Sequence, residues 1–597
     1  MQRHSASAGR IALPPAGRRR HVMTRKSLLR AAATAGALAL TSVAMPASYA
    51  VGAPQHHPVR PVDPQDAALA FDGSAYTTLT VTVDGQPVNV RWYKELCYVA
   101  DPVGAAAQQP GMGGTTTTIS NTRCGYQSMN VFVPESAFGN QRSPIYFAVN
   151  NSGWMASYIR SSVTAGASYN SSTSNVGAAL KAGYVFVDVA SRSRGLVGAD
   201  GSSLPGKAPA AAVDAKAAVR YLRLNDAAMP GSAERIVVNG TSGGGALSSI
   251  LGASGNDSEY DPYLAAIGAA GIDAAGRSTL RDDVFAVNAY CPITDLGNAD
   301  VAYEWLYNIL GTRDATGQNA QAVDAASIAA KFPAYERSLG LRNPGGSRLT
   351  AATMLDTIKK EVVRSAETYL KADPANTVPA LGEDFVLTSG GPGGGTTKSY
   401  VNDWLDVDND ANKVRSLNMT NYLKFVATQQ TLKTTPAFDA VGVYGNTTSG
   451  TETNLFGPYT QKYMNYTEFS WDHNNVPGDG SGLDDTGLTW KQYTAKKSTT
   501  VDDQIHLVDP MDFVGTSKAD TAPNWYVRNG TRDRDTSFII GINLDRALEA
   551  DPQVHDVDFQ LAWNQPHAGN YDVPEAMAWI AKVVRKAGDP LGTGHHK

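Results

Sequence analysis

The residues best able to do chemistry gather around Ser242. Gly240-Thr241-Ser242-Gly243-Gly244 follows an apolar run, Ile236-Val237-Val238, and precedes small residues that can open a helix, Gly245-Ala246-Leu247. Strand, sharp turn and helix is the context that turns a G-x-S-x-G match into a nucleophile elbow. Glycines flank the serine because side chains there would strike the neighbouring strand and helix. A serine lifted on such a turn can attack an acyl carbon. The N–H of Gly243, at a helix N-terminus, can then meet the developing oxyanion.

A serine nucleophile needs a base and an acid to orient that base, in the chain order Ser, Asp/Glu, His. Two loops supply them: Asn529-Gly530-Thr531-Arg532-Asp533-Arg534-Asp535 and Trp563-Asn564-Gln565-Pro566-His567. Each follows an apolar run, and loops at the carboxyl ends of neighbouring parallel strands lie side by side. His567 is therefore the expected base and Asp533 the expected acid. Asp535 competes with Asp533, since two residues that close cannot both orient one imidazole. His473, His506 and His555 compete less well. His506 precedes the acid loop, His473 falls in a helical insertion, and His555 precedes the last strand. The second oxyanion donor is expected just after the Ile145–Val149 run, with Gly153 first and Trp154 next. A lone G-x-S-x-G recurs by chance in Gly/Ser-rich chains; the order of the three loops gives it meaning.

Elements able to position these loops are visible as a rhythm. Strand patterns fall at Tyr76–Val83, Val88–Tyr93, Met129–Pro134, Ile145–Val149, Tyr184–Val189, Ile236–Asn239 and Phe285–Ala289. Gly104–Asn121 reads as a surface loop. Pro209–Leu224 has helical spacing, with Pro209 suited to the first position. Alternating strand and helix predicts an α/β fold, a mostly parallel sheet with helices on both faces. The rhythm stops at about Thr294. Helical patterns follow at Ala326–Leu339 (broken or kinked by Pro333), Leu349–Leu370 and Tyr422–Leu432, with a breaker-rich stretch at Ser389–Thr396. The rhythm resumes at Trp525–Arg528 and closes with Val557–Trp563 and a helix from Pro574. The expected organisation is an α/β-hydrolase core over residues 71–293 and 501–597, with an inserted, mainly helical lid over 294–500.

The first fifty residues carry eight of the chain's 51 basic residues and none of its 56 acidic ones. An alanine-rich stretch from Ala31 to about Met45 follows, then Ala47-Ser48-Tyr49-Ala50. Basic, apolar and small-x-small segments in that order read as a secretory signal, cleaved after Ala50. Residues 51–70 read as a flexible leader. Without residues 1–50 the net charge is −13. That argues against nucleic acid or an anionic membrane as partner and suits small substrates. With 42% hydrophobic and 18% charged residues, wholesale disorder is excluded. Of the three cysteines, Cys97 and Cys124 are the expected disulfide pair and Cys291 a buried free thiol; no pair has zinc-ligand spacing. No cofactor or metal is expected.

Longer motifs give the chain a resemblance. Asn239-Gly240-Thr241-Ser242, Ala253–Asn256, Phe285–Ile293, Ala302-Tyr303-Glu304-Trp305, Pro436–Asp439, Asn454–Gly457, Asp533–Phe538 and Pro566–Gly569 run in an order that resembles the bacterial tannases, or tannin acylhydrolases. The match spans about residues 76 to 585. The resemblance implies Ser242, Asp533 and His567 as triad. It also implies a galloyl pocket in which Lys433, Glu452 and Asp535 bind phenol hydroxyls and Ile293 packs on the ring. On residue type alone, Lys433 and Glu452 would read as a solvated pair on the lid. Gly104–Asn121 and the Cys97/Cys124 pair look like additions to the bacterial pattern.

The resulting expectation is a secreted serine esterase that hydrolyses galloyl ester and depside bonds through an acyl-enzyme, with small phenolic esters as partners. A feruloyl or chlorogenate esterase, an exported serine peptidase of the same fold, and a binding protein with a dead elbow are the alternatives.

Overall fold

Six neighbouring parallel strands form the centre of the molecule, and their carboxyl ends carry the loops singled out above. The computed structural model describes residues 64–110, 115–389, 396–447, 452–478, 481–496 and 500–588. The signal read over 1–50, most of the leader and residues 390–395 of the breaker-rich stretch lie outside the described residues.

The ten strands of the main sheet are β1 (Thr77–Val83), β2 (Gln86–Cys97), β3 (Ser128–Pro134), β4 (Ile145–Val149), β5 (Ser168–Tyr169), β6 (Val185–Val189), β7 (Ile236–Thr241), β8 (Ala286–Tyr290), β9 (Asn524–Gly530) and β10 (Asp556–Ala562). Their spatial order is β10-β9-β8-β7-β4-β6-β3-β2-β1-β5. Pairing is parallel from β10 to β6, and β3, β2 and β1 follow antiparallel. Register brings the ends together: Gly240 lies between Val149 of β4 and Ala289 of β8.

Strands β4, β6 and β8 are buried along their whole length, as strands of a covered parallel sheet must be, with Asp188 of β6 and Asn288 of β8 the buried polar residues among them. Alternate side chains sort to two faces. Ile145, Phe147 and Val149 join the helices Ala210–Leu224 and Gly243–Ala253 in one core. Tyr146 and Ala148 join Val176, Leu180, Trp579 and Ile580, from Asn175–Lys181 and Val573–Gly588, in the other. This is the α/β-hydrolase fold with helices on both faces.

Between β8 and β9 the chain leaves the sheet. The inserted region is mainly helical, with Leu296–Asn308, Ala322–Ala329, Phe332–Leu339, Ala351–Ala372 and Met419–Gln429 as its longer helices. It also holds two antiparallel ribbons, Asp384–Ser389 with Thr396–Val401 and Leu405–Asp408 with Lys413–Leu417. Pro333 breaks the expected Ala326–Leu339 helix rather than kinking it, since Ala322–Ala329 ends before Phe332–Leu339 begins. It sits in the first turn of the second helix, where its missing N–H costs no bond. Pro209 caps its helix one residue before the expected position.

Two further expectations are corrected. Residues 64–70 are not flexible leader: Pro64–Ala68 is a short helix, Leu69 is buried, and Gln65 and Asp66 hydrogen-bond Ala269 and Gly271. The Gly104–Asn121 loop contains a small hairpin, Gln108–Pro110 with Thr116–Thr118. Cys97 and Cys124 form the expected disulfide, and Cys291 is buried and free. Among the described residues, no helix is long and apolar enough to cross a membrane.

Candidate active site

Five neighbouring strand ends each deliver one piece of the site. Ser242 caps the Gly243–Ala253 helix with φ 61° and ψ −123°, a strained conformation for a serine and the mark of an elbow. Close approach explains why glycine follows it. A Cβ on Gly243 would lie 2.2 Å from the Trp154 nitrogen and 2.5 Å from the Asn151 oxygen. The turn after β4 is thereby pressed against the first residue of the helix. The N–H of Trp154 is spent on Asn151 O at 2.9 Å, which leaves Gly153 as the donor candidate in that turn.

His567, on the loop after β10, places Nε2 2.9 Å from Ser242 Oγ and Nδ1 2.9 Å from Asp533 Oδ2. Gly569 brings this loop in: a Cβ there would lie 1.9 Å from Thr241 Oγ1, so only glycine lets the loop rest on the residue before the serine. Asp533 is fully buried on the loop after β9. Its Oδ1 accepts the N–H groups of Asp535 at 2.8 Å and Thr536 at 3.1 Å. Asp535 instead pairs with Arg534 at 2.8 Å, which settles the competition between the two carboxylates in space. Of the competing histidines, His473 stacks on Phe469 and His506 bridges Glu259 and Asp512. The backbone N–H of His555, before β10, bonds Pro523 O.

Burial alone would raise the Asp533 carboxyl. The charge and hydrogen bond of His567, then the Asp535 N–H, hold it below the usual range. Burial alone would lower His567, but Asp533 and then Asp535 outweigh it and Lys433, so the imidazole titrates above its ordinary value.

Cys291 lies beneath this pair, an arrangement its apolar sequence context did not signal. Its S–H donates to Ala568 O at 3.3 Å, and burial and the Asp533 charge push the thiol well above its ordinary range. Cys291, Asp533 and His567 are, among the described residues, the one cluster with metal-ligating atoms, all within 4.8 Å. Asp533 and His567 are already committed to each other, so the cluster reads as a hydrogen-bonded network.

Each of the four binding candidates is linked to the Ser242–His567 pair or to the turn after β4. Ile293, buried after β8, has its N–H on Ser242 O at 3.4 Å and its carbonyl on Trp154 Nε1 at 3.2 Å. Lys433 holds Nζ 3.9 Å from the Phe438 ring centre, and its charge, like that of Asp535, acts on His567. Glu452 is buried in a 3-10 turn, and its charge acts on Arg194, whose Nε donates to Gly153 O at 2.7 Å.

The inserted helix Leu296–Asn308 explains how Lys433 reaches the core. Asp300 accepts the N–H groups of Ala437, Phe438 and Asp439, and Glu304 accepts Thr435 Oγ1 and Arg313. Tyr303 accepts from the Lys433 N–H at 3.0 Å and donates to Arg534 O at 2.8 Å. One phenol thus ties the Lys433 segment to the Asp535 loop. Sequence patterning alone gave these residues no role, since such pairings have no period.

A buried Ser–His–Asp chain at the strand ends of an α/β-hydrolase can carry out acyl transfer. Comparison with known proteins narrows the class. The BD-FAE family model matches residues 129–309. The native tannin acyl hydrolase from Lactobacillus plantarum superposes with a TM-score of 0.64 and 28% identity, over 86% of this chain and 99% of that one. The Fusobacterium nucleatum tannase gives 0.66 and 29%, over 86% and 99%. A tannin acyl hydrolase in complex with ethyl gallate gives 0.63 and 28%, over the same shares. Comparison with curated proteins returns no match. The protein is a carboxylic-ester hydrolase of the α/β-hydrolase fold. Within that class, the solved structures that it resembles are bacterial tannases.

Proposed function

We propose that the protein hydrolyses the galloyl ester and depside bonds of tannins and alkyl gallates, releasing gallic acid through an acyl-enzyme. The observation that carries the mechanism is the unbroken chain Ser242 Oγ, His567 Nε2, His567 Nδ1, Asp533 Oδ2, with both links at 2.9 Å. His567 takes the Ser242 proton as Oγ attacks the acyl carbon. The N–H groups of Gly243 and Gly153 receive the oxyanion. His567 then returns the proton to the leaving alcohol, and water repeats the sequence to free the acid.

Three adjacent phenol hydroxyls distinguish gallate from other aryl acids. Glu452 and Asp535 accept their hydrogen bonds, Lys433 donates to their oxygens, and Ile293 packs on the ring. Such a site rejects an ester lacking the hydroxyls, because its own polar groups would be left unpaired. Methyl gallate is therefore expected to exceed methyl benzoate and methyl ferulate by at least about 100-fold in kcat/KM. At the pH plateau, Glu452→Gln, Asp535→Asn and Lys433→Met each lower that constant about 10- to 100-fold for methyl gallate, and far less for methyl benzoate. Equal losses on the two esters remove the pocket assignment. The tannase neighbours, including the ethyl gallate complex, support this reading.

The pH dependence follows from the sign of the His567 shift. Neutral His567 is the base, and its raised pKa keeps it protonated to higher pH. The acid limb of kcat/KM on methyl benzoate is expected at a higher pH than the ~6.5 of a free imidazole. Asp535→Asn moves that limb down and Lys433→Met moves it up. A limb that stays put in both variants refutes the charge arrangement.

The lid of this reading spans 294–500 and the core 71–293 and 501–597. Export rests on the basic and apolar run ahead of Ala50.

A further inference from the structure

The turn that carries Gly153 is held from one side by a single segment, Ser191–Arg194. Ser191 Oγ donates to Asn151 Oδ1 at 2.9 Å, Ser193 Oγ to Trp154 O at 2.5 Å, and Arg194 Nε to Gly153 O at 2.7 Å. The guanidinium also lies against the turn, since a Cβ on Gly153 would lie 3.4 Å from its Nη2. Gly153 has φ 60° and ψ 28°, left-handed space that glycine enters freely. A bond to its carbonyl is what turns a permissive residue into a fixed one.

The Glu452–Leu455 turn of the insertion packs against the Ser152–Trp154 turn that this guanidinium holds. Arg194 is 7% exposed. Burial pulls its pKa down, and Glu452, followed by Tyr466, pulls it back up, so Glu452 is the foremost negative charge acting on it. One cation therefore has two duties that a planar fork can meet together and a point charge cannot.

We propose that Arg194 is a positioning residue that joins the oxyanion turn to Glu452, and so decides both how the oxyanion is held and how a hydroxylated ring is recognised. Its Nε side holds the Gly153 peptide in register with the Gly243 N–H. Its charge holds Glu452 as an aimed carboxylate, ready to accept a phenol O–H rather than to turn toward water. The second duty rests on the galloyl reading of Glu452 given above; the first does not.

Steady-state kinetics on methyl gallate and methyl benzoate, with Arg194→Met, Arg194→Lys and Glu452→Gln, separates the two duties. Arg194→Met is expected to lose about 10-fold or more in kcat on both esters. It is also expected to raise KM about 10-fold on methyl gallate alone. Arg194→Lys keeps a cation beside Glu452 but has no second donor for Gly153 O. It is expected to recover the gallate KM while kcat stays low on both esters. A structural role alone would not split kcat from KM between these variants. Because Arg194→Met removes a buried charge, its fold is checked by near-UV circular dichroism. If it does not fold, the Arg194→Lys split decides alone, read as a slowed acylation burst on a p-nitrophenyl ester with the gallate KM preserved. The inference is overturned if Arg194→Lys restores both constants, restores neither, or shows an unchanged burst. If Glu452→Gln leaves the gallate preference intact, the galloyl reading fails instead. If Glu452→Gln abolishes the preference and Arg194→Met does not touch it, the reading stands and this inference falls.

Discussion

Ser242→Ala is expected to lower kcat on methyl gallate by about 10⁵- to 10⁶-fold, with KM little changed. The thiol nearest the triad cannot replace the Ser242 oxygen. The Cys291 thiol lies beneath the His567–Asp533 pair, fully buried, with its S–H directed to Ala568 O. What survives is attack by water assisted by the oxyanion donors, which leaves a residual rate well above the uncatalysed one. The burst of acylation on a p-nitrophenyl ester should vanish altogether. A variant retaining more than roughly one per cent of wild-type kcat would falsify the acyl-enzyme mechanism.

Asp533→Asn is the second large effect, about 10⁴-fold in kcat, or about 5 kcal/mol of transition-state stabilisation. The direction of the new amide is decided by the backbone. Asp533 Oδ1 already receives two N–H groups, from Asp535 and Thr536. An asparagine must keep its oxygen there and turn its NH2 toward His567 Nδ1. Two donors cannot share that contact, so the imidazole changes tautomer and places its proton on Nε2. It can then no longer take the proton of Ser242. Ground-state binding does not depend on that tautomer, so KM for methyl gallate should hold. The variant should also lose the raised acid limb, because the charge that keeps His567 protonated is gone. A loss of less than 100-fold in kcat, or a KM that rises in step with it, would show that Asp533 acts by shaping the pocket.

The sheet and the catalytic loops were legible because they obey local rules. Apolar runs such as Ile145–Val149 and Tyr184–Val187 have few other uses in a globular chain, and the strands they open fall within a residue of expectation. The order of the elbow, Asp533 and His567 follows from how such a sheet is wound. The two ribbons of the insertion had no comparable signal. Thr396–Val401 is almost wholly exposed, so its residues carry no buried-face alternation to read. The Pro64–Ala68 helix had no readable signal for the opposite reason. Leu69 is one buried side chain in a short polar stretch, too little for a periodic pattern. Lys433 and Glu452 could be placed only by resemblance. The Lys433 segment is held by Tyr303 and Asp300, pairings across 130 residues or more, which no spacing rule encodes. Arg194 itself looked like one of many basic residues, since only the folded turn gives its fork a carbonyl to hold.

The winding of the sheet also sets a clock. Ser242 and His567 are 325 positions apart, with the insertion and the last two strands between them. At about 5–20 residues per second, a ribosome needs roughly 15–65 s to cover that distance. For that interval the growing polypeptide holds an elbow with neither base nor acid. On the proposed mechanism, hydrolytic power arrives only when β9 and β10 complete the open edge beside β8, so nascent chains and truncated products that lack this edge should be silent toward esters. The catalyst is built with its own delay, as a property of chain order rather than of any inhibitor.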